Sequence, residues 1–123
     1  MKIKMIQIKY FLVLFFAVIF TSNVMASEME NYDIAVLGAL NKITGKTSTI
    51  ETAVNDSASF GDLNIKVLAC QKSSPLDTPE SASYLKINDN QEELFSGWMY
   101  ASSPALSAME NGIYDIWVIN CKK

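Results

Sequence analysis

Catalytic chemistry in this sequence would have to come from carboxylates, because the chain contains no His. Without the usual general base near neutral pH, a Ser-His or Cys-His nucleophile cannot be assembled. A pair of carboxylates can hydrolyse a glycosidic bond, and the acidic residues available for it are Asp62, Glu80, Glu110 and Asp115. Their spacing selects no pair, and solvated surface acids are the simpler interpretation. We therefore assign no catalytic residue from the sequence.

Metal binding has one weak candidate, the oxygen-rich residues 88–93 (NDNQEE). They superficially resemble a calcium loop but lack the Gly and the terminal Glu spacing of an EF-hand. A hairpin turn is the better interpretation. Zinc would need Cys or His ligands beyond the two cysteines of the chain. The sequence predicts no metal site and no cofactor.

The two cysteines, Cys70 and Cys121, are predicted to form one structural disulfide. An even count in an exported chain favours pairing, and the alternative is a catalytic or metal-binding thiol. The sequence separation is 51 residues, and closing a loop of that size stabilises a fold by about 4 kcal/mol in the chain-entropy account. A typical total stability is about 5 to 15 kcal/mol. The bridge would therefore supply a large share of it.

Residues 95–104 (FSGWMYASSP) are the most unusual stretch of the chain. Amphipathic aromatic residues and Met are enriched at protein interfaces, but the core of a small domain uses the same types. If residues 94–100 form a strand, Trp98 and Tyr100 share one face. We expect Trp98, Met99 and the later Trp117 to lie in the core. We expect Tyr100 and Ser102 to contact a partner.

The elements that position these residues follow a predicted signal peptide over residues 1–26. Lys2, Lys4 and Lys9 precede an apolar run over residues 10–20, and small residues before position 27 predict cleavage after Ala26. The run is too short to span a bilayer, which takes about 20 residues, so an uncleaved anchor is the less favoured alternative. We divide the rest into a flexible lead-in (27–33) and one domain (34–123) that does not span a membrane once processed.

Charge argues against nucleic acid as a partner. Cleavage would remove three of the ten lysines and no acid, which leaves 97 residues with a net charge of −6 and no Arg. Binding to a phosphate backbone needs clustered cations. A chain of this length is enough for one domain.

The first half of the predicted domain contains one ambiguous segment and one clear strand. Apolar residues recur every three positions over 34–43, which suits a helix, but the turn signal at 44–46 and the alternation that follows favour a hairpin. Leu63, Ile65 and Val67 alternate with polar residues and predict a half-buried strand. Cys70 has the opposite parity, so this strand must end, bend or bulge before it.

The second half is predicted to hold three strands and a helix. Strands are expected at 83–87 and 94–100. Ser103 and Pro104 predict the start of a short helix that ends at Asn111. Residues 113–121 are apolar on both faces and predict a central strand. The fold class is therefore mainly β, a small barrel or sandwich of about six strands with one short helix.

Four blocks of the sequence resemble the bacterial family DUF2155, a domain of unknown function. They are LNKITG (40–45), FGDL (60–63) with Cys70 beyond it, FSGWMYASSPAL (95–106) and YDIWVINCK (114–122). They occur in order over nearly the whole predicted mature chain. The sequence departs from the family pattern at residues 110–112 (ENG), where we expect a His-Pro pair. The resemblance implies a periplasmic protein of the Gram-negative envelope and no established activity.

Two functions fit these observations. The first is a non-enzymatic periplasmic interaction module that binds another envelope protein through an exposed sheet edge or the aromatic segment. The alternative is a small secreted carboxylate-dependent cell-wall hydrolase, or an inhibitor of one. The absence of His favours the interaction module.

Overall fold

The computed structural model describes residues 9–14 and 28–123. Residues 9–14 are helical and exposed. The predicted cleavage site after Ala26 lies outside the described residues. Among the residues described, no helix has the length and apolar character needed to cross a bilayer.

The described chain folds into two antiparallel sheets that pack face to face. The strands are β1 (Met29–Asn31), β2 (Ile34–Asn41), β3 (Thr47–Ala53), β4 (Ser57–Phe60), β5 (Leu63–Ser73), β6 (Ser81–Asn88), β7 (Glu93–Tyr100) and β8 (Tyr114–Lys122). Sheet A has the order β1-β5-β6-β7, with β4 also paired to β5, and sheet B has the order β3-β2-β8. The predicted mainly β class is confirmed. The architecture is a sandwich rather than a closed barrel.

The core lies between the two sheets and is built by strand alternation. Leu63, Ile65 and Val67 of β5 point inward and are at most 1% exposed. They meet inward side chains of β2 and β8 such as Leu37 and Ile116. Apolar side chains on one face of each strand thus bury each other, which is the main source of stability for a sandwich.

The predicted hairpin over residues 34–54 is confirmed, and the helical alternative is wrong. Strands β2 and β3 pair antiparallel, with Leu40 opposite Thr47. The turn between them contains Gly45 at a φ of 72°, a backbone conformation that Gly adopts without steric cost.

Both cysteines follow a β-bulge that turns them into the core. In β5 the register with β6 shifts between Val67 and Ala69, so that Cys70 points inward with 1% exposure. In β8 the register with β2 shifts in the same way at Ile119, and Cys121 is fully buried. The predicted disulfide is confirmed, with the two Cα atoms 5.8 Å apart. It links sheet A to sheet B.

Strand β8 lies at an edge of sheet B, so the prediction of a central strand is wrong. Trp117, expected in the core, lies instead on the outer face of sheet B, opposite Gly38 of β2. A Cβ atom at Gly38 would overlap the indole ring, so the glycine makes room for Trp117 to lie flat on the sheet. This packing explains why β8 is apolar on both faces.

The lead-in is not loose throughout, because residues within 27–33 form β1. Asn31 pairs with Gln71 at the edge of β5 that β4 leaves free. The side chain of Gln71 donates a hydrogen bond to Asn31 Oδ1 at 3.1 Å. Pairing therefore orders this polar segment although its composition suggests a flexible terminus.

The helix predicted from Ser103 to Asn111 is only a short 3₁₀ helix, Pro104–Ser107. Ser103 makes no side-chain capping bond, and the backbone is already extended at Ala108. Met109 then packs into the core with 3% exposure, and an extended path brings its side chain there. Asn111 forms a turn instead of a helix end, since its Oδ1 accepts hydrogen bonds from the N–H groups of Ile113 and Tyr114 at 2.9 Å.

Candidate functional site

Three aromatic side chains lie together on the outer face of sheet A, the face that points away from sheet B. Tyr84 of β6 is directly opposite Trp98 of β7, and Tyr100 lies two residues further along β7. The residues between them, such as Met99, point into the core. We call Tyr84, Trp98 and Tyr100 the aromatic face. Trp98 was expected in the core, and that prediction is wrong, because the parity of β7 places Met99 there instead.

The aromatic face is a packed but accessible surface. The Tyr84 and Trp98 rings meet edge to face, with centroids 5.6 Å apart and an interplanar angle of 89°. Such a pair adds about 0.5 to 1.5 kcal/mol beyond its buried area and holds both rings in place. Both residues are half-buried, and Tyr100 is 37% exposed. Their cross-strand neighbours are short, Ala69 beside Tyr84 and Ala82 beside Tyr100, and do not cover the rings.

Ser102, the other predicted contact residue, is hydrogen-bonded within the chain. Its N–H donates to Glu80 Oε1 at 3.1 Å, and its hydroxyl donates to Glu80 Oε2. Burial raises the pKa of the Glu80 carboxyl, but these bonds and one from the Ser81 N–H together hold that pKa below its usual value. The Glu80 carboxylate therefore fastens the segment that follows β7 to the start of β6, next to Tyr100.

Two lysines lie on the same outer face, one row away from the aromatic pair. Lys66 of β5 is directly opposite Lys86 of β6, and both are exposed. Hydroxyl side chains flank them in the row, Ser57 on β4 and Ser96 on β7. Within residues 9–14 and 28–123 the one salt bridge joins Lys122 to Glu51 at 2.6 Å, on sheet B. The lysine pair is thus a like-charge pair, and neither of its lysines makes a salt bridge within the described residues.

A polar cleft of about 250 Å³ opens at one end of the sandwich. Its lining residues come from three turns and the first residues of β7 and β8: Asp62, Asp89, Asn90, Gln91, Leu94, Asn111, Ile113 and Tyr114. Of the four carboxylates considered for catalysis, this lining contains Asp62 alone. In the part of the chain that the structure describes, no three His, Cys, Asp or Glu side chains are grouped to hold a metal ion.

The oxygen-rich residues 88–93 form the turn between β6 and β7, as predicted. Asp89 Oδ1 accepts hydrogen bonds from the N–H groups of Gln91 and Glu92, each at 2.8 Å. These bonds lower the pKa of the Asp89 carboxyl. The carboxylate is used to close the turn.

Tyr114 connects the cleft to the packing of the two sheets. Its hydroxyl oxygen accepts a hydrogen bond from the Asp62 N–H at 3.2 Å, and its ring meets Phe60 edge to face at 5.9 Å. Gly61, at a φ of 57°, lies against the ring where a Cβ atom would overlap it. The FGDL and YDIWVINCK blocks of the sequence therefore meet at this contact.

Sequence reasoning missed Tyr84, Lys66 and Lys86 as members of a surface. The signal was present, because each alternates with buried residues on its strand. What was missing was the register that brings the three side chains together with Trp98 on adjacent strands.

Comparison with known proteins gives a family match and one curated relative. The family model described as "Uncharacterized protein conserved in bacteria (DUF2155)" matches residues 35–121. An uncharacterized protein of Rickettsia prowazekii (strain Madrid E) is 35% identical over 106 residues, which cover 80% of this chain and 67% of the relative. No solved structure matches the chain significantly.

Proposed function

The chain belongs to the DUF2155 family, and from that premise we propose that it is a non-enzymatic interaction module of the Gram-negative periplasm. Its partner is another envelope protein, and it binds through the aromatic face. The observation that carries the proposal is the placement of Tyr84, Trp98 and Tyr100 together on the outer face of a sheet. A small domain gains more stability from burying such residues, so their position outside calls for a role at an interface.

The shape of this surface favours a macromolecular partner. Small ligands bind in concave sites that enclose most of their surface. The aromatic face belongs instead to the outer side of a four-strand path, β1-β5-β6-β7. The Tyr84 and Trp98 rings are already held by each other, so binding orders few additional side chains. Tyr100, the most exposed of the three, supplies a hydroxyl and a ring to the partner.

The periplasmic location rests on the predicted signal peptide and on the disulfide. Disulfides form and persist in oxidising compartments, the bacterial periplasm among them, and Cys70 and Cys121 are joined in the core. We expect N-terminal sequencing of the exported protein to begin at Ser27. Intact protein that starts at Met1 and fractionates with the membrane would contradict the proposed processing.

Replacing Tyr100 with Ala should weaken partner capture and leave folding nearly unchanged. The side chain lies outside the core and is 37% exposed, so its loss should lower the free energy of unfolding by only about 1 kcal/mol and leave the protein folded. A central aromatic contact at an interface is commonly worth about 2 kcal/mol or more, which corresponds to roughly a thirtyfold loss of affinity. The measurement is cross-linking in the native periplasm followed by pull-down and titration of the isolated partner.

The matched control is Ile119→Ala, which removes an exposed apolar side chain from sheet B. It should capture the partner as the parent does. If Tyr100→Ala and Trp98→Ala proteins, both folded, capture the partner at parental affinity, the aromatic face is not the binding surface. Release of products from peptidoglycan by the pure protein would contradict the non-enzymatic assignment.

A further inference from the structure

We infer that the partner presents an acidic, extended peptide segment to the outer face of sheet A. A carboxylate of that segment binds between Lys66 and Lys86, and an aromatic or apolar side chain two residues away packs on Trp98. This inference rests on the proposed function and specifies the chemistry of the partner. It depends on three observations about the same face.

The first observation is the like-charge pair itself. Side chains directly opposite each other on adjacent strands have Cβ atoms about 4.5 to 5.5 Å apart, and two like charges in that position are destabilising. Lys66 and Lys86 occupy such a pair. A carboxylate bound between the two ammonium groups removes the repulsion and gains two charge-assisted hydrogen bonds. The pair is therefore unfavourable in the free protein and favourable in the complex.

The second observation is how charge is distributed over the molecule. Residues 27–123 contain 13 acids and seven lysines, yet the rows of the outer face that hold the aromatic residues and Lys66–Lys86 contain no acid. Acids border these rows at both ends, because Lys86 shares a groove with Asp89, Glu92 and Glu93, and Glu80 is bonded to Ser102 beyond Tyr100. An anionic ligand would therefore be attracted to the lysine pair itself and repelled by the acidic surface around it.

The third observation is spacing. Residues two apart on one strand lie roughly 6.5 to 7 Å from each other, because a strand rises 3.2 to 3.4 Å per residue. That distance separates the Lys86 row from the Tyr84–Trp98 row, and the Trp98 row from the Tyr100 row. An extended peptide has the same repeat, so a carboxylate and apolar side chains at alternate positions match all three rows. Single-stranded nucleic acid does not fit this face. Its binding would need more than two cations, and the rest of the protein surface would have to be less acidic than it is.

The test uses fluorescently labelled polymers as defined probes. We expect the processed protein to bind a copolymer of glutamate and tyrosine, with affinity that falls as salt rises. A single-stranded oligonucleotide should not bind, whereas a copolymer of lysine and tyrosine would be attracted by the acids elsewhere on the protein, so its binding should not depend on Lys66 and Lys86. The Lys66→Gln/Lys86→Gln variant should bind the acidic copolymer at least about tenfold more weakly, since it loses two charged contacts. Lys46→Gln/Lys123→Gln removes the same charge elsewhere and should bind as the parent does.

Folding is controlled by a third variant, Lys86→Glu. This change converts the like-charge pair into an attractive pair, so the variant should melt at a higher temperature than the parent. It should no longer bind the acidic copolymer. Equal binding of the acidic copolymer by the lysine double variant, or equal affinity of the parent for the oligonucleotide, would overturn the inference. If the native partner is lost on Tyr100→Ala but retained by Lys66→Gln/Lys86→Gln, the interaction module stands and the acidic segment is wrong.

Discussion

Replacing Cys70 and Cys121 together with Ala should lower the free energy of unfolding by about 4 kcal/mol. The bridge spans 51 residues and joins the two sheets, so its removal enlarges the unfolded ensemble more than a local cross-link would. Both sulfur atoms are buried, at 1% and 0% exposure. Loss of this size is a large part of the roughly 5 to 15 kcal/mol available to a typical domain. Urea unfolding followed by tryptophan fluorescence measures it.

A core substitution separates the effect of losing the disulfide from the effect of losing core packing. Val118→Ala removes buried apolar volume from the same strand as Cys121 and leaves the disulfide intact. Both variants should unfold at lower urea. Only the cysteine double variant should also show a steeper urea dependence, because its unfolded chain exposes more surface. An unchanged midpoint in the double variant would mean that the bridge is not what holds the sheets together.

Replacing Tyr114 with Ala should cost about 3 to 5 kcal/mol, comparable to the disulfide. The side chain is 9% exposed and packs between sheet B and the β4–β5 turn, where it contacts Phe60 and supports Gly61. Its removal leaves a cavity and breaks the hydrogen bond from the Asp62 N–H. Equilibrium unfolding in urea measures the loss. Tyr114→Phe keeps the ring and loses only the hydrogen bond, so about 1 kcal/mol is expected.

A double-mutant cycle tests whether Gly61 and Tyr114 act on each other. A Cβ atom at Gly61 would overlap the Tyr114 hydroxyl, and the positive φ adds strain for any residue but Gly. Gly61→Ala should therefore cost less in the Tyr114→Phe background than in the parent. Additive losses would show that the hydroxyl contact contributes nothing and that backbone strain and overlap with the ring carbons account for the cost.

Much of the fold could be predicted because strand alternation is visible in one sequence. Leu63, Ile65 and Val67, which alternate with polar residues in the sequence, are the residues of β5 that are buried. The turn signal at 44–46 likewise lies between two paired strands of a hairpin. A bulge changes parity by one residue, and the opposite parity of Cys70 predicted an end, a bend or a bulge before it without indicating which of these occurs. The positions of Leu68 and Ile119 as bulged residues became visible only in the register of their strands.

The two tryptophans show why the faces could not be assigned. Trp98 and Trp117 are the largest side chains in their strands, and size alone predicts burial. Each lies on an outer face because the opposite parity already fills the core, with Met99 in β7 and Ile116 in β8. Gly38 leaves room for the Trp117 ring on the outer face of sheet B. This can be recognised only once β2 is known to pair with β8. The Lys66–Lys86 pair could not be predicted for the same reason.

Strand β2 lies between β3, which is its neighbour in sequence, and β8, which is the last strand of the chain, so its two pairings form at different times during folding. Strand β3 follows β2 after five residues and can pair with it early. Pairing of β2 with β8 joins Ile34 to Lys122 and requires nearly the whole described domain. Long-range pairings of this kind close slowly. Until β8 arrives, one edge of β2 exposes unpaired backbone groups beside Leu37 and Ala39, and other unfolded chains can pair there. We therefore expect the protein to be most prone to self-association in the interval before β8 pairs with β2.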